Sequence, residues 1–300
     1  MVVPHSRYSE TGTVTIDDST CKNCGTCAAI CPADVLDADN GHIRVRDDSP
    51  FGCIACGHCM MVCPEGSITV TGRGISPADL LPLPSRDEIA SADSLTALMR
   101  SRRSVRFFQD REVDSELLER IVAMAASGPM GIPPWDVGCT IVAGRDKVSQ
   151  LAAELVKGYA GLLKVLRPWV LTLLRPFMAK AKHEQFRHFI VPLAKSYVTA
   201  HQQGKDRLFW KAPAVLIFHH SPYAQAADVA IACTYAMLAA HSLGLGSTII
   251  GGGPPVLQRN RALCRQLSIP DQQTPCFTLI VGYPAKHFRR AIRRHFLSQL

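Results

Sequence analysis

The sequence shows no recognisable nucleic-acid motif, no apolar run near residue 1 and few charges for its length. Residues 1–18 contain neither an apolar core segment nor a twin arginine, so export is not expected and the expected location is the cytoplasm. Charged residues make up 19% of the 300 and hydrophobic ones 47%, which describes a globular chain and excludes a disordered one. No basic run is interleaved with aromatics in the manner of a nucleic-acid module, so no nucleic-acid partner is expected. Val229 to Leu257 contains no Asp, Glu, Lys or Arg. Its second half carries Gly244, Gly246, Gly251, Gly252, Gly253, Pro254 and Pro255. That leaves a helix of about 15 residues, roughly 22 Å long, too short to span a bilayer. A buried helix running into a glycine-rich loop is the expectation.

Cysteine, by contrast, is abundant. Eight of the 12 fall in two identical runs, C-x2-C-x2-C-x3-C followed by Pro. The first is Cys21, Cys24, Cys27 and Cys31; the second is Cys53, Cys56, Cys59 and Cys63, each 32 positions after its counterpart. This is an internal duplication. Zinc sites pair two C-x2-C units without a third cysteine at the same step, and disulfide frameworks belong to small secreted chains. Three thiolates on a tight loop suit three irons of a cubane, and the fourth, on the helix that follows, points to the other cluster. The spacing therefore predicts one [4Fe–4S] cluster on Cys21, Cys24, Cys27 and Cys63 and a second on Cys53, Cys56, Cys59 and Cys31. Residues 12–72 resemble a bacterial two-[4Fe–4S] ferredoxin, a carrier of single electrons.

The net charge of +8 is unevenly distributed. Residues 1–75 hold 5 Lys/Arg against 9 Asp/Glu, net −4; the remainder holds 28 against 16, net +12. The length suggests two domains. We expect a ferredoxin unit over 1–75, a Pro-punctuated linker over 76–92 and a second domain over 93–300, with a largely helical insertion at 146–211. Short strands are expected at Thr13–Ile16, Ile43–Val45 and Ile68–Val70, with a hairpin turn at Asp39-Asn40-Gly41. In the second domain Asp93 should cap a helix reaching Met99, and Asp114 an amphipathic helix carrying Leu117, Leu118, Ile121, Val122 and Ala125. Strands are expected at Gly138–Ala143, Ala214–His219 and Cys276–Val281. Strands and helices without strict alternation indicate an α+β domain.

Three features of this domain carry chemistry. Arg102, Arg103 and Arg106 surround Ser104 at a helix end, a spacing that can fork a phosphate. Gly244 to Gly252 is rich in glycine and would let backbone N–H groups approach a flat ligand. Arg289, Arg290, Arg293 and Arg294 follow Gly282-Tyr283-Pro284. Each alone has a bland explanation, as an exposed turn, a loop or a solvated tail. In this order, with Met130-Gly131-Ile132-Pro133-Pro134-Trp135 between them, they resemble the nitroreductase family of FMN flavoproteins over residues 93–300. The whole chain looks like a ferredoxin–nitroreductase fusion, α+β in both parts.

The resemblance implies that Arg102, Arg103, Ser104 and Arg106 contact FMN, and that Ile250, Gly251 and Gly252 pass the isoalloxazine. It also implies that Arg290 and Arg294 reach the phosphate, in a homodimer. It implies an oxidoreductase passing electrons between two [4Fe–4S] clusters and FMN and reducing a small organic acceptor such as a nitro compound or quinone. A ferredoxin, a reductase or NAD(P)H would be the donor. The alternative is a non-catalytic relay between protein partners, with the flavin face sealed by Trp135 and the inserted helices. Gly131 and Pro133 stand where the family often has Asn and Gln, which removes two polar contacts. No catalytic side chain is singled out. From Lys157 to Lys211 the insertion carries 11 Lys/Arg against 2 Asp/Glu, and two Arg-Pro steps should break it. It is expected to form a lid, or an amphipathic membrane-surface patch. His219, His220 and His241 read as structural, with His219 or His220 near enough to a strand end to reach the site. Cys139, Cys233, Cys264 and Cys276 read as buried small hydrophobes.

Overall fold

A computed structural model describes residues 10–131 and 136–295. Pro133 and Trp135 of the proline-tryptophan segment therefore lie outside the described residues. The chain divides into two compact units, Met1–Ala90 with Met130–Asp136 and Pro222–Asp228, and Ser91–Pro129 with Val137–Ser221 and Val229–Leu300.

The first unit runs β1 (Thr13–Ile16), α1 (Thr26–Ala29), β2 (Leu36–Asp39), β3 (His42–Val45), α2 (His58–Val62) and β4 (Ile68–Thr71). Its first and last strands pair antiparallel, Thr13 opposite Thr71 through Ile16 opposite Ile68. β2 and β3 form a hairpin whose two turn residues, Asn40 (φ 51°) and Gly41 (φ 78°), are both left-handed, as a two-residue turn between right-twisted strands requires. Strand β2 was not expected from its own sequence, Leu-Asp-Ala-Asp; the hairpin recruits it. Leu36, Ile43, Met60, Ile68 and Val70 form the core with the inner cysteines. The duplication is visible in the backbone. Asn23 (φ 51°) and Gly25 (φ 76°) are matched 32 residues on by Ala55 (φ 54°) and Gly57 (φ 74°).

The second unit contains α3 (Ala92–Ser101), α4 (Ser115–Ala126), β5 (Val137–Ala143), α5 (Arg145–Val165), α6 (Pro168–Leu174), α7 (Lys180–Gln185) and α8 (Val191–Gln202). Then follow β6 (Ala214–His220), α9 (Ala226–Ser242, of which Val229 onward belongs to this unit), β7 (Gly246–Ile250), α10 (Pro254–Leu257), α11 (Arg261–Gln266) and β8 (Thr274–Gly282). The sheet order is β5-β6-β8-β7, antiparallel throughout. β6 is buried on both faces, which explains its unbroken apolar run Ala-Val-Leu-Ile-Phe. On one face Val215 and Ile217 pack in a cluster with Val148, Leu151, Leu155 and Tyr159 of α5. None of the helices is long and apolar enough to cross a membrane, among the described residues.

Three local expectations change and one holds. Ser91, not Asp93, caps α3: its hydroxyl accepts from the Ser94 N–H at 3.1 Å. Asp114 stands at the N-cap of α4 without a side-chain cap bond. The expected break at Arg167-Pro168 is there: α5 ends at Val165 and α6 starts at Pro168, in the first turn where its missing N–H costs nothing. The supposed glycine loop is largely a strand, β7. Ser247 to Ile250 pair with Thr278 to Val281, and the β-branched side chains outweigh the flanking glycines.

Gly246 is there because of a neighbour. A Cβ on it would lie 2.7 Å from Val105 Cγ2 and 2.8 Å from Val105 Cβ, so the residue lets segment 101–108 lie against the strand. Gly246→Ala is expected to cost about 1–3 kcal/mol, since the tight packing leaves no room for a methyl. Gly251→Ala, where nothing lies within 4 Å, should stay within about 0.5 kcal/mol of wild type. Paired urea unfolding curves would check both.

Candidate active site and cysteine loops

In the first unit, each cysteine run begins in a loop kept open by left-handed residues. The Asn23 N–H points at Cys21 Sγ and the Ala55 N–H at Cys53 Sγ, both at 3.4 Å. Gly25 and Gly57 then turn the chain into α1 and α2, which carry Cys27 and Cys59. The fourth cysteine is not on the helix as expected. Cys63 follows α2 as its C-cap in extended backbone (φ −70°, ψ 117°), and Cys31 lies two residues past α1.

The eight thiols are free and line two small enclosed spaces. One is bounded by Cys21, Cys24, Cys27 and Cys63 with Ile16, Ile43 and Ile68. The other is bounded by Cys31, Cys53, Cys56 and Cys59 with Val14, Leu36 and Val70. Each quartet thus takes three cysteines from one run and the last from the other. Among the described residues, no three His, Cys, Asp or Glu side chains converge as a single ion would need. The thiols surround a space instead, which suits a multi-iron cluster. Burial pushes the Cys27 and Cys53 thiols up and the Cys59 thiol to about 12, while the Thr26 hydroxyl holds Cys24 below its usual range. Thiols buried this way lose their protons to coordination, not to solvent.

In the second unit the site grows out of segment 101–108, which is stitched at both ends. The Val105 N–H donates to the Ser247 carbonyl at 3.1 Å, with Ser104 bridging Ser247. Farther along, the Gln109 N–H donates to the Tyr283 carbonyl (2.8 Å) and the Ala285 N–H to the Phe107 carbonyl (2.9 Å). The segment therefore lies between β7 and the chain leaving β8. Three motifs distant in sequence meet because one strip of backbone hydrogen-bonds to both of the others.

On one side of this strip is a cavity of about 580 Å³, lined by Arg106 and by Ile249, Ile250, Gly251 and Gly252 at the end of β7. Its far wall is Gln185, Phe186, Phe189 and Leu193 of the insertion, with Tyr159, Tyr197 and Trp210. Tyr159 donates to the Gly252 carbonyl at 2.7 Å, and burial raises its pKa to about 12, so the phenol keeps its proton. Tyr159 and Tyr197 meet edge to face at 5.3 Å. Arg207 and Trp210 are presented by a turn that Asp206 organises: its carboxylate accepts from the N–H groups of Leu208, Phe209 and Lys211. The sequence led us to expect a lid from the insertion but singled out none of these side chains; only the aromatic content of 186–210 hints at them.

A second hollow, about 360 Å³, is lined by Arg100, Ser101, Arg103, Phe288, Arg289 and Arg290. Beside it Arg102 is half-buried. Burial, then the cations of Arg103 and Arg294, hold its guanidinium below the usual value. No ion pair to a described carboxylate relieves any of Arg102, Arg103, Arg289, Arg290 or Arg294. Such a cluster is complementary to an anion. His241 Nε2 lies 2.7 Å from Ser101 Oγ at its edge. The nine sequence-predicted residues therefore divide: Arg106 and Ile250 to Gly252 on the cavity, Arg102, Arg103, Arg290 and Arg294 in the cationic group, and Ser104 on the strip joining them.

Gly131 donates its N–H to Asp228 Oδ1 at 2.6 Å, and a Cβ there would press on the same carboxylate. His219 does not reach the cavity. It is buried between Thr140 (3.3 Å from Nε2) and Gln273, its ring filling the space over Gly138. Burial pushes the thiols of Cys139, Cys233, Cys264 and Cys276 up, Cys233 to about 12. Burial also lowers the pKa of His219 and of His241, the latter further through Arg102 and Arg103. An unfolded chain would take up these protons from about pH 6.5 downward, before the folded one does. Stability should therefore be full above pH 6.5 and fall as pH drops through the depressed folded values. His241→Gln should lessen that acid loss, as unfolding curves at pH 7.5 and 5.5 would show.

The nitroreductase family profile matches residues 99–283, and the profile described as a 4Fe-4S dicluster domain matches residues 13–64. A protein of Methanothermobacter thermautotrophicus named for NADH dehydrogenase/NAD(P)H nitroreductase is 27% identical over 202 residues, 67% of this chain and 82% of that protein. The crystal structure of an FMN-bound nitroreductase from Bacteroides fragilis superposes with a TM-score of 0.50 at 18% identity, covering 69% of this chain and 97% of that one. The second likeness concerns the fold, and the first profile spans more than half the sequence. The chain belongs to the nitroreductase family and carries a 4Fe-4S dicluster domain ahead of its nitroreductase domain.

Proposed function

We propose that the protein is an iron–sulfur flavoprotein that exchanges electrons between two [4Fe–4S] clusters and FMN and reduces a small organic acceptor. Cys21, Cys24, Cys27 and Cys63 would hold one cluster and Cys31, Cys53, Cys56 and Cys59 the other. The observation that carries the reading is the strip 101–108, which joins a cation group with no counter-ion among the described residues to a cavity of flavin-accommodating size. Arg102, Arg103, Arg290 and Arg294 would hold the FMN phosphate, with Ser104 beside them. Arg106 and the backbone of Ile250, Gly251 and Gly252 would meet the ring system. When bound, FMN supplies the exchange between one-electron and two-electron chemistry.

The chain's own part is binding and positioning. Tyr159 fixes the Gly252 carbonyl so that the turn after β7 keeps its shape. Phe186, Phe189 and Trp210 would exclude water from the acceptor. The cavity favours an enzyme over a relay, because a pure electron conduit needs no apolar chamber. We place the protein in the cytoplasm as a homodimer, as an extension of its family membership. The clusters imply a ferredoxin or reductase as donor. Anaerobic mixing tests this: NADH alone should reduce the flavin slowly when the cysteines are replaced. Rapid reduction in that variant would remove the clusters from the input path.

A further inference from the structure

The insertion turns part of its apolar surface outward. In α6 Leu171 points into the fold and is buried, while Trp169 and Leu173 on the opposite face are 64% and 65% exposed. Val165 before them is 65% exposed and Phe177 after them 84%. These four recur at every fourth position, and Trp169 and Leu173 share one face of one helix. The element is held from behind: buried His183 of α7 places its Nε2 3.2 Å from the Leu171 carbonyl. An apolar ridge on an anchored helix asks what covers it.

Charge answers that question. Between Glu154 and Glu184 the sequence has no acidic residue. Lys164, Arg167, Arg175, Lys180 and Lys182 are exposed and form no ion pair with any described residue. A second copy would set these cations against themselves. We propose that this part of the insertion docks on an anionic phospholipid surface, with Trp169, Leu173 and Phe177 entering the headgroup boundary and the lysines and arginines meeting the phosphates. At 7 residues α6 is far too short to cross, so it would lie in the interface plane. Tryptophan at headgroup level and flanking cations are the residue types that such a boundary retains. The inference does not depend on what the cavity binds.

The test is co-sedimentation of the full-length, cluster-loaded protein with vesicles of phosphatidylglycerol and phosphatidylcholine, against phosphatidylcholine alone. Binding is expected on the anionic vesicles only and should weaken as salt rises. Trp169→Ser/Leu173→Ser/Phe177→Ser and Lys180→Glu/Lys182→Glu should each reduce partitioning by about tenfold or more. Unchanged iron content and thermal midpoint would show that both variants remain folded. Absence of binding to anionic vesicles, or equal binding by wild type and both variants, would overturn the proposal. Gel filtration supplies the remaining arm. If wild type ignores vesicles and the triple substitution dissociates an oligomer, the ridge is a contact between copies and the proposal is wrong.

Discussion

Cys63→Ala should abolish the cluster of the first cysteine run, not of the run in which Cys63 lies. Cys63 lines the space of Cys21, Cys24 and Cys27, whereas Cys31 lines that of Cys53, Cys56 and Cys59. Loss of one ligand of four should release that cluster, and iron should fall from about eight to about four per chain. Pairing the substitution decides the wiring. Cys21→Ala/Cys63→Ala should lose no more iron than either single change, because both act on one quartet. Cys53→Ala/Cys63→Ala should lose nearly all of it, since it breaks both. Non-crossed ligation reverses the two results. Because six of the eight cysteines also pack in the core with Leu36, Met60 and Val70, folding of the unit should depend on metal, and chelation should unfold it.

The second large effect is expected at Arg102. Its guanidinium is half-buried among cations and pairs with no described carboxylate, an arrangement that an anion would relieve. Removing one partner of a buried, hydrogen-bonded charge pair costs about 2–5 kcal/mol, so Arg102→Ala should weaken FMN binding by about 30-fold or more. Arg102→Lys should recover only part, because a point charge replaces a planar fork. Riboflavin, which lacks the phosphate, should bind wild type and Arg102→Ala alike. Fluorescence titration of the apo-protein with both ligands separates a phosphate contact from a general loss of structure. Apo-protein stability should not fall in Arg102→Ala, since the substitution removes repulsion with Arg103 and Arg294.

How much of this the sequence disclosed varied with the range of the interactions. The cysteine runs and the Asn40-Gly41 turn were legible because they are local: spacing and left-handed backbone are fixed within a few residues. The amphipathic face of α4 was legible for the same reason, with Leu118, Ile121 and Ala125 all buried. β7 was not. Gly246 looked like a loop residue, yet its lack of a side chain answers to Val105, more than a hundred positions away. The lid was expected from the insertion, but its contacts were hidden, since nothing near Tyr159 announces its hydrogen bond to Gly252. Likewise, Asp206 reads as an isolated acid in a basic stretch until its three N–H donors are seen. The arginine groups were legible as charges, while their division between a cation cluster and a cavity required the fold.

The central claim is that one chain holds two clusters and one flavin. The most direct test is the anaerobic stoichiometry of iron, acid-labile sulfide and FMN in reconstituted protein. The account predicts about eight iron, about eight sulfide and about one FMN per chain. Four iron or fewer, zinc in place of iron, or a protein that takes up iron but no flavin would contradict it.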